Sequence, residues 1–314
     1  MQIGVVPFKD FCYNTGMNIN WGDRAKIELS GLEENVPLSE LTSFHVGGPA
    51  RFVLRPKSYE AIASAVQFAE LHQIPLALLG KGTNMLASDN GFDGLLIRFD
   101  TPLHAPVYRG TTVVACCGTS LTQLSRETVK KGLSGLERLC GIPGTLGGAC
   151  AMNAGAYGGE IKQILKRIRI LRNGVDEWVT VNDGDLGYRK SRFSFPDAIA
   201  LEAELSLTED DGTALDTMRQ CMEKRKEKQP LELPSAGSTF KRPAGHFAGA
   251  LIEQCGLKGY SVGGAAVSCK HAGFIVNTGN ATQSDISALI AHVQKVVLEQ
   301  TGVFLEPEIK RIGR

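Results

Sequence analysis

"PSAGSTFKRPAG", residues 234–245, sets Ser238 between Gly237 and Thr239 with Lys241 and Arg242 close behind. This is not the G-x-S-x-G elbow that presents a nucleophile, and no histidine adjoins Ser238 to take its proton. The stretch offers a hydroxyl backed by cations and faced by no base. Two other polar positions could join it in chemistry. Arg189 stands in "GYRKSRF", a basic cluster with Lys190 and Arg192, and Glu308 stands in "LEPEIK". Taken alone, Arg189 reads as a solvated cation at a strand end and Glu308 as an exposed glutamate. Lys228 and Lys241 have the same plain reading. His45, His246 and His271 show no ligand-like spacing, and structural roles are expected for them.

A second kind of chemistry lies in two glycine-rich loops. "GKGTNMLASDNGF" (80–92) follows an apolar run; Gly80 and Gly82 let the backbone approach an anion, and Thr83 and Asn84 add short side-chain donors. Successive N–H groups in such a loop form a nest suited to a pyrophosphate. "GIPGTLGGA" (141–149) continues into "NAGAYGGE", too many glycines within twenty residues for a turn alone. Neither loop is G-x-G-x-x-G or G-x-x-x-x-G-K-[ST]. Two separated glycine loops suit a long dinucleotide better than a mononucleotide.

The elements that must carry these residues alternate from about residue 42. Ser58 caps a helix through about His72, with Ile62, Val66 and Ala69 on one face. "PLALLG" (75–80) reads as a buried strand emptying into the first glycine loop, and "GLLIRF" (94–99) and "TTVVAC" (111–116) as further strands. Thr119 or Ser120 opens a helix ending near Gly132. "RIRILRNGVDEWVTV" (167–181) is a hairpin turning at Asn173-Gly174, and "IALEAELSL" (199–207) is another strand. From residue 208 the composition turns polar, and a C-terminal unit is expected to begin there. That unit should hold a helix near 246–255 stopping at Gly256 and a long helix, 284–300, capped by Thr282 with Asp285. A last strand is expected over 303–312, with Val303, Leu305 and Ile309 on one face and Glu306 and Glu308 sharing the other.

Composition bounds the rest. The 314 residues allow two or three domains, and a net charge of +1 gives no whole-chain attraction to nucleic acid or an anionic membrane. No signal-peptide pattern opens the chain and no apolar run nears the ~20 residues of a membrane span. The eight cysteines contain no CxxC pair and no HExxH occurs, so a cytoplasmic, metal-free protein with reduced thiols is expected.

In order along the chain, "TSFHVGGPA" (42–50), "GKGTNMLASDNGF", "GIPGTLGGACAMNAGAYGGE", "GYRKSRF", "LPSAGSTFKRP" and "LEPEIKRIG" resemble the UDP-N-acetylenolpyruvoylglucosamine reductase family, from about residue 40 to the C-terminus. The resemblance implies an α+β chain: a two-subdomain FAD-binding fold of the vanillyl-alcohol-oxidase (PCMH) type, then a smaller α+β substrate-binding domain. The expected division is an N-terminal extension 1–35, FAD subdomains 36–104 and 105–208, and a substrate domain 209–314. It implies non-covalent FAD, NADPH as reductant, and reduction of UDP-N-acetylglucosamine enolpyruvate to UDP-N-acetylmuramate for peptidoglycan. Partners would be the UDP-sugar and NADPH, with no nucleic acid and no membrane, in a monomer.

The resemblance also implies roles. Gly80, Lys81, Gly82, Thr83, Asn84, Ile142, Pro143, Gly144, Thr145, Gly147, Gly148, Ala149 and Asn153 match the flavin loops. Arg189, Ser238 and Glu308 match the family's catalytic arginine, serine and glutamate, and Tyr188, Lys228, Lys241 and Arg242 fall to the substrate. Hydride delivered to C3 of the enolpyruvyl group leaves charge on C2 and its carboxylate, which Arg189 and Glu308 would stabilise while Ser238 gives C2 its proton. Glu308 must then be protonated or share a proton, which requires a raised pKa. Lys241 or Arg242 could support the alkoxide left on Ser238. Two departures stand out: Arg242 occupies a position where similar proteins often have asparagine, and "SRFSFPD" (191–197) lacks the tyrosine of one subgroup's lid. An FAD-linked oxidase of the same fold and a non-catalytic flavin-binding module are the alternatives. The first lacks support in a flavin-tethering motif, and the intact trio argues against the second.

Overall fold

The structure is a computed structural model that describes residues 21–313. Most of the expected extension, residues 1–20, lies outside the described residues. The first lobe comprises α1 (Trp21–Glu28), β1 (Leu32–Pro37), α2 (Leu38–Leu41), β2 (Pro49–Leu54), α3 (Tyr59–Leu71), β3 (Leu76–Leu79), β4 (Met85–Ala87) and β5 (Phe92–Arg98). Its sheet has the order β1-β2-β5-β3, parallel except for β1. The expected boundary at residue 35 falls inside β1, and Ala25 of α1 and Leu29 just after it pack into the core of the first two lobes.

Both faces of this sheet are covered, which is why β5 reads as an unbroken apolar run rather than an alternation. Leu95 and Ile97 join Ile62, Ala65, Val66 and Ala69 of α3, while Leu96 joins Leu38, Leu41 and Ile312 on the other side. Ser58 starts α3 as its spacing predicts, accepting from the Ala61 N–H at 3.2 Å. Leu76 to Leu78 of β3 are only half-buried because this strand is the sheet edge and Leu78 lines a cavity.

The second lobe holds β6 (Val107–Arg109), β7 (Thr112–Cys116), α4 (Leu121–Lys130), β8 (Leu133–Ser134), α5 (Leu146–Met152), β9 (Gly155–Ala156), β10 (Gly159–Glu160), β11 (Leu165–Arg172), β12 (Val175–Thr180), β13 (Leu186–Gly187), β14 (Lys190–Ser191), β15 (Ile199–Ser206), β16 (Thr208–Glu209) and α6 (Ala214–Lys228). An antiparallel sheet, β12-β11-β15-β7-β6, forms its centre. The β11–β12 turn is the expected Asn173-Gly174, with φ of 49° and 73°. Ser120 precedes α4 but makes no capping bond, because its hydroxyl accepts from Lys81 Nζ at 2.9 Å instead. Between the lobes, His104 Nε2 meets the Tyr59 hydroxyl at 3.0 Å and Glu202 at 3.0 Å, and Glu202 also takes Arg169 at 2.6 Å.

The C-terminal part adds α7 (Ala248–Gln254), β17 (Ser261–Val262), β18 (Ala265–Val267), β19 (Ile275–Asn277), α8 (Gln283–Thr301) and β20 (Lys310–Ile312). Thr282 and Asp285 form the expected capping box on α8, whose Ile286, Leu289, Ile290, Val293 and Val297 pack with Leu251 and Ile252. Two expectations change. The polar helix α6 puts its apolar side on the second lobe, where Ala214, Met218 and Met222 cover Val129 and Cys140, and meets the C-terminal unit at Lys226 O, which accepts from Lys270 Nζ at 2.9 Å. The expected strand 303–312 shortens to β20, because Pro307 has no N–H to donate and its pairing with Phe240 stays an isolated bridge. β20 runs parallel to β4, and Phe44, Val46 and Leu86 enter the C-terminal core, so the chain's end is sewn back into its beginning.

Candidate active site

A cavity of about 1310 Å³ opens where the three parts meet. That exceeds the ~300–1,000 Å³ of a single small-ligand pocket and leaves room for a dinucleotide with a second ligand. Its walls are the loops 80–85 and 142–149, the β13–β14 hairpin with residues 192–195 beyond it, the segment 229–238, and Glu308 with Lys310 and Arg311.

The two glycine loops lean on each other. A Cβ on Gly80 would sit 2.6 Å from Thr145 Oγ1, and one on Gly147 would sit 3.0 Å from Cys117 Cβ. Gly82 has φ +67°, and a Cβ there would come 2.1 Å from Leu41 O. The glycines therefore permit close backbone packing, which leaves the loop's own donors for a ligand. The N–H groups of Lys81, Gly82, Thr83 and Asn84 have no protein acceptor among the described residues. Thr145 caps α5 by accepting the Gly148 N–H at 3.1 Å. A run of free donors at the wall of a large cavity fits the diphosphate of FAD.

Arg189 is the second residue of the Tyr188–Arg189 turn between β13 and β14, with a left-handed φ of 54°. Its guanidinium donates to Asn153 O at 3.5 Å and Gly155 O at 3.3 Å. Its Nε lies 2.8 Å from Glu308 Oε1. The Nε–H is not aimed along that vector and makes no hydrogen bond, so the contact is an ion pair only. Burial pushes the Glu308 carboxyl above the usual range, against the opposing pull of Arg189, Lys241 and Lys310. Its neighbour Glu306 moves the other way, held down by its hydrogen bond to Lys241. The two glutamates do not share surroundings: Glu306 is 64% exposed and Glu308 only 15%.

Ser238 is set by backbone on both sides. Thr239 donates its N–H to Gly273 O at 2.9 Å, and Glu308 donates its N–H to Thr239 O at 2.8 Å. Ser238 itself bridges Phe274, and its exposed side chain lines the cavity with Arg189 and Glu308. Gly237, at φ +75°, makes the turn into this segment.

Every expected flavin-loop residue except Asn153 lines the cavity. Asn153 stands behind the wall with its side chain committed to protein: Nδ2 donates to Glu160 and Gly187 O, and Oδ1 accepts from the Lys162 N–H. The four expected substrate residues lie outside the wall. Lys228 is the exposed end of α6. Lys241 pairs with Glu306. Arg242 stacks on Phe247 at 3.9 Å, and its backbone N–H donates to the Tyr188 hydroxyl at 3.0 Å, so Tyr188 and Arg242 form one outer contact. Sequence reading missed Arg225, whose half-buried guanidinium lines the cavity beside Gly141 with no hydrogen-bond or ion-pair partner among the described residues. Its position in the last turn of a polar helix carried no signal. Gln229 and Pro230, just after that helix, also line the wall.

A family model described as the C-terminal domain of UDP-N-acetylenolpyruvoylglucosamine reductase matches residues 229–312, and one described as an FAD binding domain matches residues 50–178. The first begins immediately after α6, in keeping with that helix's place on the second lobe. The UDP-N-acetylenolpyruvoylglucosamine reductase of Exiguobacterium sibiricum is 47% identical over 281 residues, 89% of this chain and 92% of that protein. That of Caldanaerobacter subterraneus subsp. tengcongensis is 43% identical over 89% of this chain and 93% of its own length. The crystal structure of the Thermus caldophilus enzyme superposes with a TM-score of 0.76 at 34% identity, covering 90% of this chain and 99% of that one. The α+β architecture of an FAD-binding fold with a smaller C-terminal domain is therefore shared along nearly the whole chain. With both glycine loops and all three polar residues around one cavity, the chain belongs to the UDP-N-acetylenolpyruvoylglucosamine reductase family.

Proposed function

We propose that this chain uses FAD and NADPH to reduce the enolpyruvyl ether of UDP-N-acetylglucosamine to the lactyl ether of UDP-N-acetylmuramate, in peptidoglycan precursor synthesis. The observation that carries the reading is that Arg189, Ser238 and Glu308, from three distant segments, line the same cavity as the two glycine loops. Bound FAD would supply the two-electron chemistry linking NADPH to the substrate; Gly80 to Asn84 would hold its diphosphate and Ile142 to Ala149 its ring.

The chain's own residues handle charge and the proton. Reduction at C3 of the enolpyruvyl group places negative charge on C2 and its carboxylate. Arg189, fixed by two backbone carbonyls and by Glu308, faces that charge as a preset cation. Burial shifts the Glu308 pKa upward, the direction that a carboxyl holding a proton beside an anion requires. Ser238 gives a proton to C2, and Arg189, lining the same cavity, is a cation available to the alkoxide left behind. The same reading takes the enzyme to be a monomer, and its nucleotide substrates support a cytoplasmic location. Among the described residues no helix is long and apolar enough to cross a membrane.

The test is an anaerobic absorbance trace at the flavin band. Bleaching by NADPH and recovery on adding the enolpyruvyl UDP-sugar are expected. A bleached enzyme that recovers only with air would refute the reading in favour of an oxidase, and a protein without flavin absorbance would refute both.

A further inference from the structure

We infer that Asn153 is a positioning residue for the oxidative half-reaction: from behind the cavity wall it tethers the hairpin that carries Arg189 to the second glycine loop. The inference rests on the reading above that Arg189 faces the substrate carboxylate. Asn153 is 1% exposed and ends α5 in the left-handed region, with φ 41°. Its Nδ2 spans two elements, donating to Glu160 Oε2 at 3.2 Å and to Gly187 O at 3.0 Å. Its Oδ1 accepts the Lys162 N–H at 2.9 Å, and its backbone carbonyl accepts from Arg189 Nη1 at 3.5 Å. One residue thus holds the base of the hairpin through Gly187 and the tip through Arg189.

The hairpin needs such a hold. β13 and β14 have two residues each and pair only Leu186 with Ser191 and Gly187 with Lys190, too little to fix a register alone. Arg189 adds a left-handed backbone, a conformation that persists only where the surroundings impose it. The direct bonds on its guanidinium are long, and the ion pair to Glu308 lacks an aligned hydrogen bond. Asparagine meets both demands at position 153, since it tolerates positive φ and carries two donors on a short stem. Aspartate would keep the backbone and lose the donors. Glycine would keep the backbone and lose the tether.

The FAD-loaded enzyme is tested by stopped flow, each half-reaction apart, as Asn153→Gly, Arg189→Ala and the double variant. Asn153→Gly is expected to slow reoxidation by the enolpyruvyl UDP-sugar about 10- to 100-fold, the scale of a misplacement near 1 Å, and to leave reduction by NADPH unchanged. In the Arg189→Ala background the same change should have no further effect, since there is then nothing to position. Unchanged reoxidation, equal slowing of both half-reactions, or additive effects would each overturn the tether. Normal reoxidation in Arg189→Ala alone would instead overturn the role of Arg189. Should Asn153→Gly fail to retain FAD, Asn153→Asp, which keeps the backbone and loses the donors to Gly187 and Glu160, should still slow reoxidation several-fold. An unaffected rate there would overturn the inference.

Discussion

Replacing Ser238 by alanine removes a hydroxyl that makes no hydrogen bond to any described residue, on a side chain that is exposed to the cavity. The segment's position depends on backbone bonds at Thr239 and on the bridge to Phe274, and alanine keeps both. The fold should therefore lose no more than ~0.5 kcal/mol. Arg189 and Glu308 stay in place, because the bonds that hold them run to other residues. Binding of FAD and reduction by NADPH require no proton at C2 and should be unchanged. What disappears is general-acid catalysis, typically worth ~10²–10⁴ in rate, or roughly 3–5.5 kcal/mol of barrier at 1.36 kcal/mol per decade. Anaerobic stopped flow measures it directly: variant and wild type are reduced with NADPH and then mixed with the enolpyruvyl UDP-sugar. In deuterated buffer the wild-type step should slow further and the residual variant step should not show the same ratio. Reoxidation at the wild-type rate would refute the assignment of Ser238, and so would an equal loss in reduction by NADPH, which would point to a disturbed flavin site.

The same geometry sets three further outcomes. Burial raises the Glu308 pKa, so its neutral form is lost as pH rises through that elevated value; reoxidation should fall on this alkaline limb, and Glu308→Gln should flatten the limb in a pH–rate profile. Gly82→Ala forces a Cβ within 2.1 Å of Leu41 O at a φ of +67°, and should cost roughly 3 kcal/mol or more and lower FAD content, measured by thermal melts and flavin absorbance. Arg225→Met removes a half-buried cation without an anionic partner, so the melting temperature of the FAD-free protein should hold or rise, while Kd for FAD or the UDP-sugar, measured by fluorescence titration, should weaken about 10-fold.

Much of this was legible because the signals were local. Ser58, Asn173-Gly174 and the Thr282/Asp285 box report on their own backbone within four residues, and each element starts or turns where they place it. The glycine density of both loops likewise speaks for itself, since close approach requires Gly80, and close approach with a left-handed φ requires Gly82. What could not be read depends on partners far along the chain. Ser120 looks like a helix cap until Lys81, thirty-nine positions earlier, takes its hydroxyl. Glu306 and Glu308 look equivalent until Lys241 reaches one and Arg189 the other. Arg225 carries no local signal at all, because its meaning arises only from α6 packing on the second lobe.

The connection between the first glycine loop and Glu308 is also non-local, and it constrains how the site can fail. Asn84, in the first glycine loop, donates through Nδ2 to Glu308 O at 3.4 Å, and its own carbonyl accepts the Lys310 N–H at 3.0 Å. Glu308 in turn donates its N–H to Thr239, next to Ser238. One path of hydrogen bonds therefore runs from the first glycine loop, through the backbone of Glu308, to Thr239 beside Ser238. The β4–β20 pairing fixes the far end of that path by returning residues 310–312 to the first lobe. Arg189 reaches the same carboxyl from the opposite side, on a hairpin bound to the second glycine loop through Asn153. Each glycine loop thus carries one side of the Arg189–Glu308 pair, so displacing either loop shifts one partner against the other. Gly80, where a Cβ would sit 2.6 Å from Thr145 Oγ1, lets the two loops meet closely, and that contact serves the Arg189–Glu308 pair as well as the wall of the cavity.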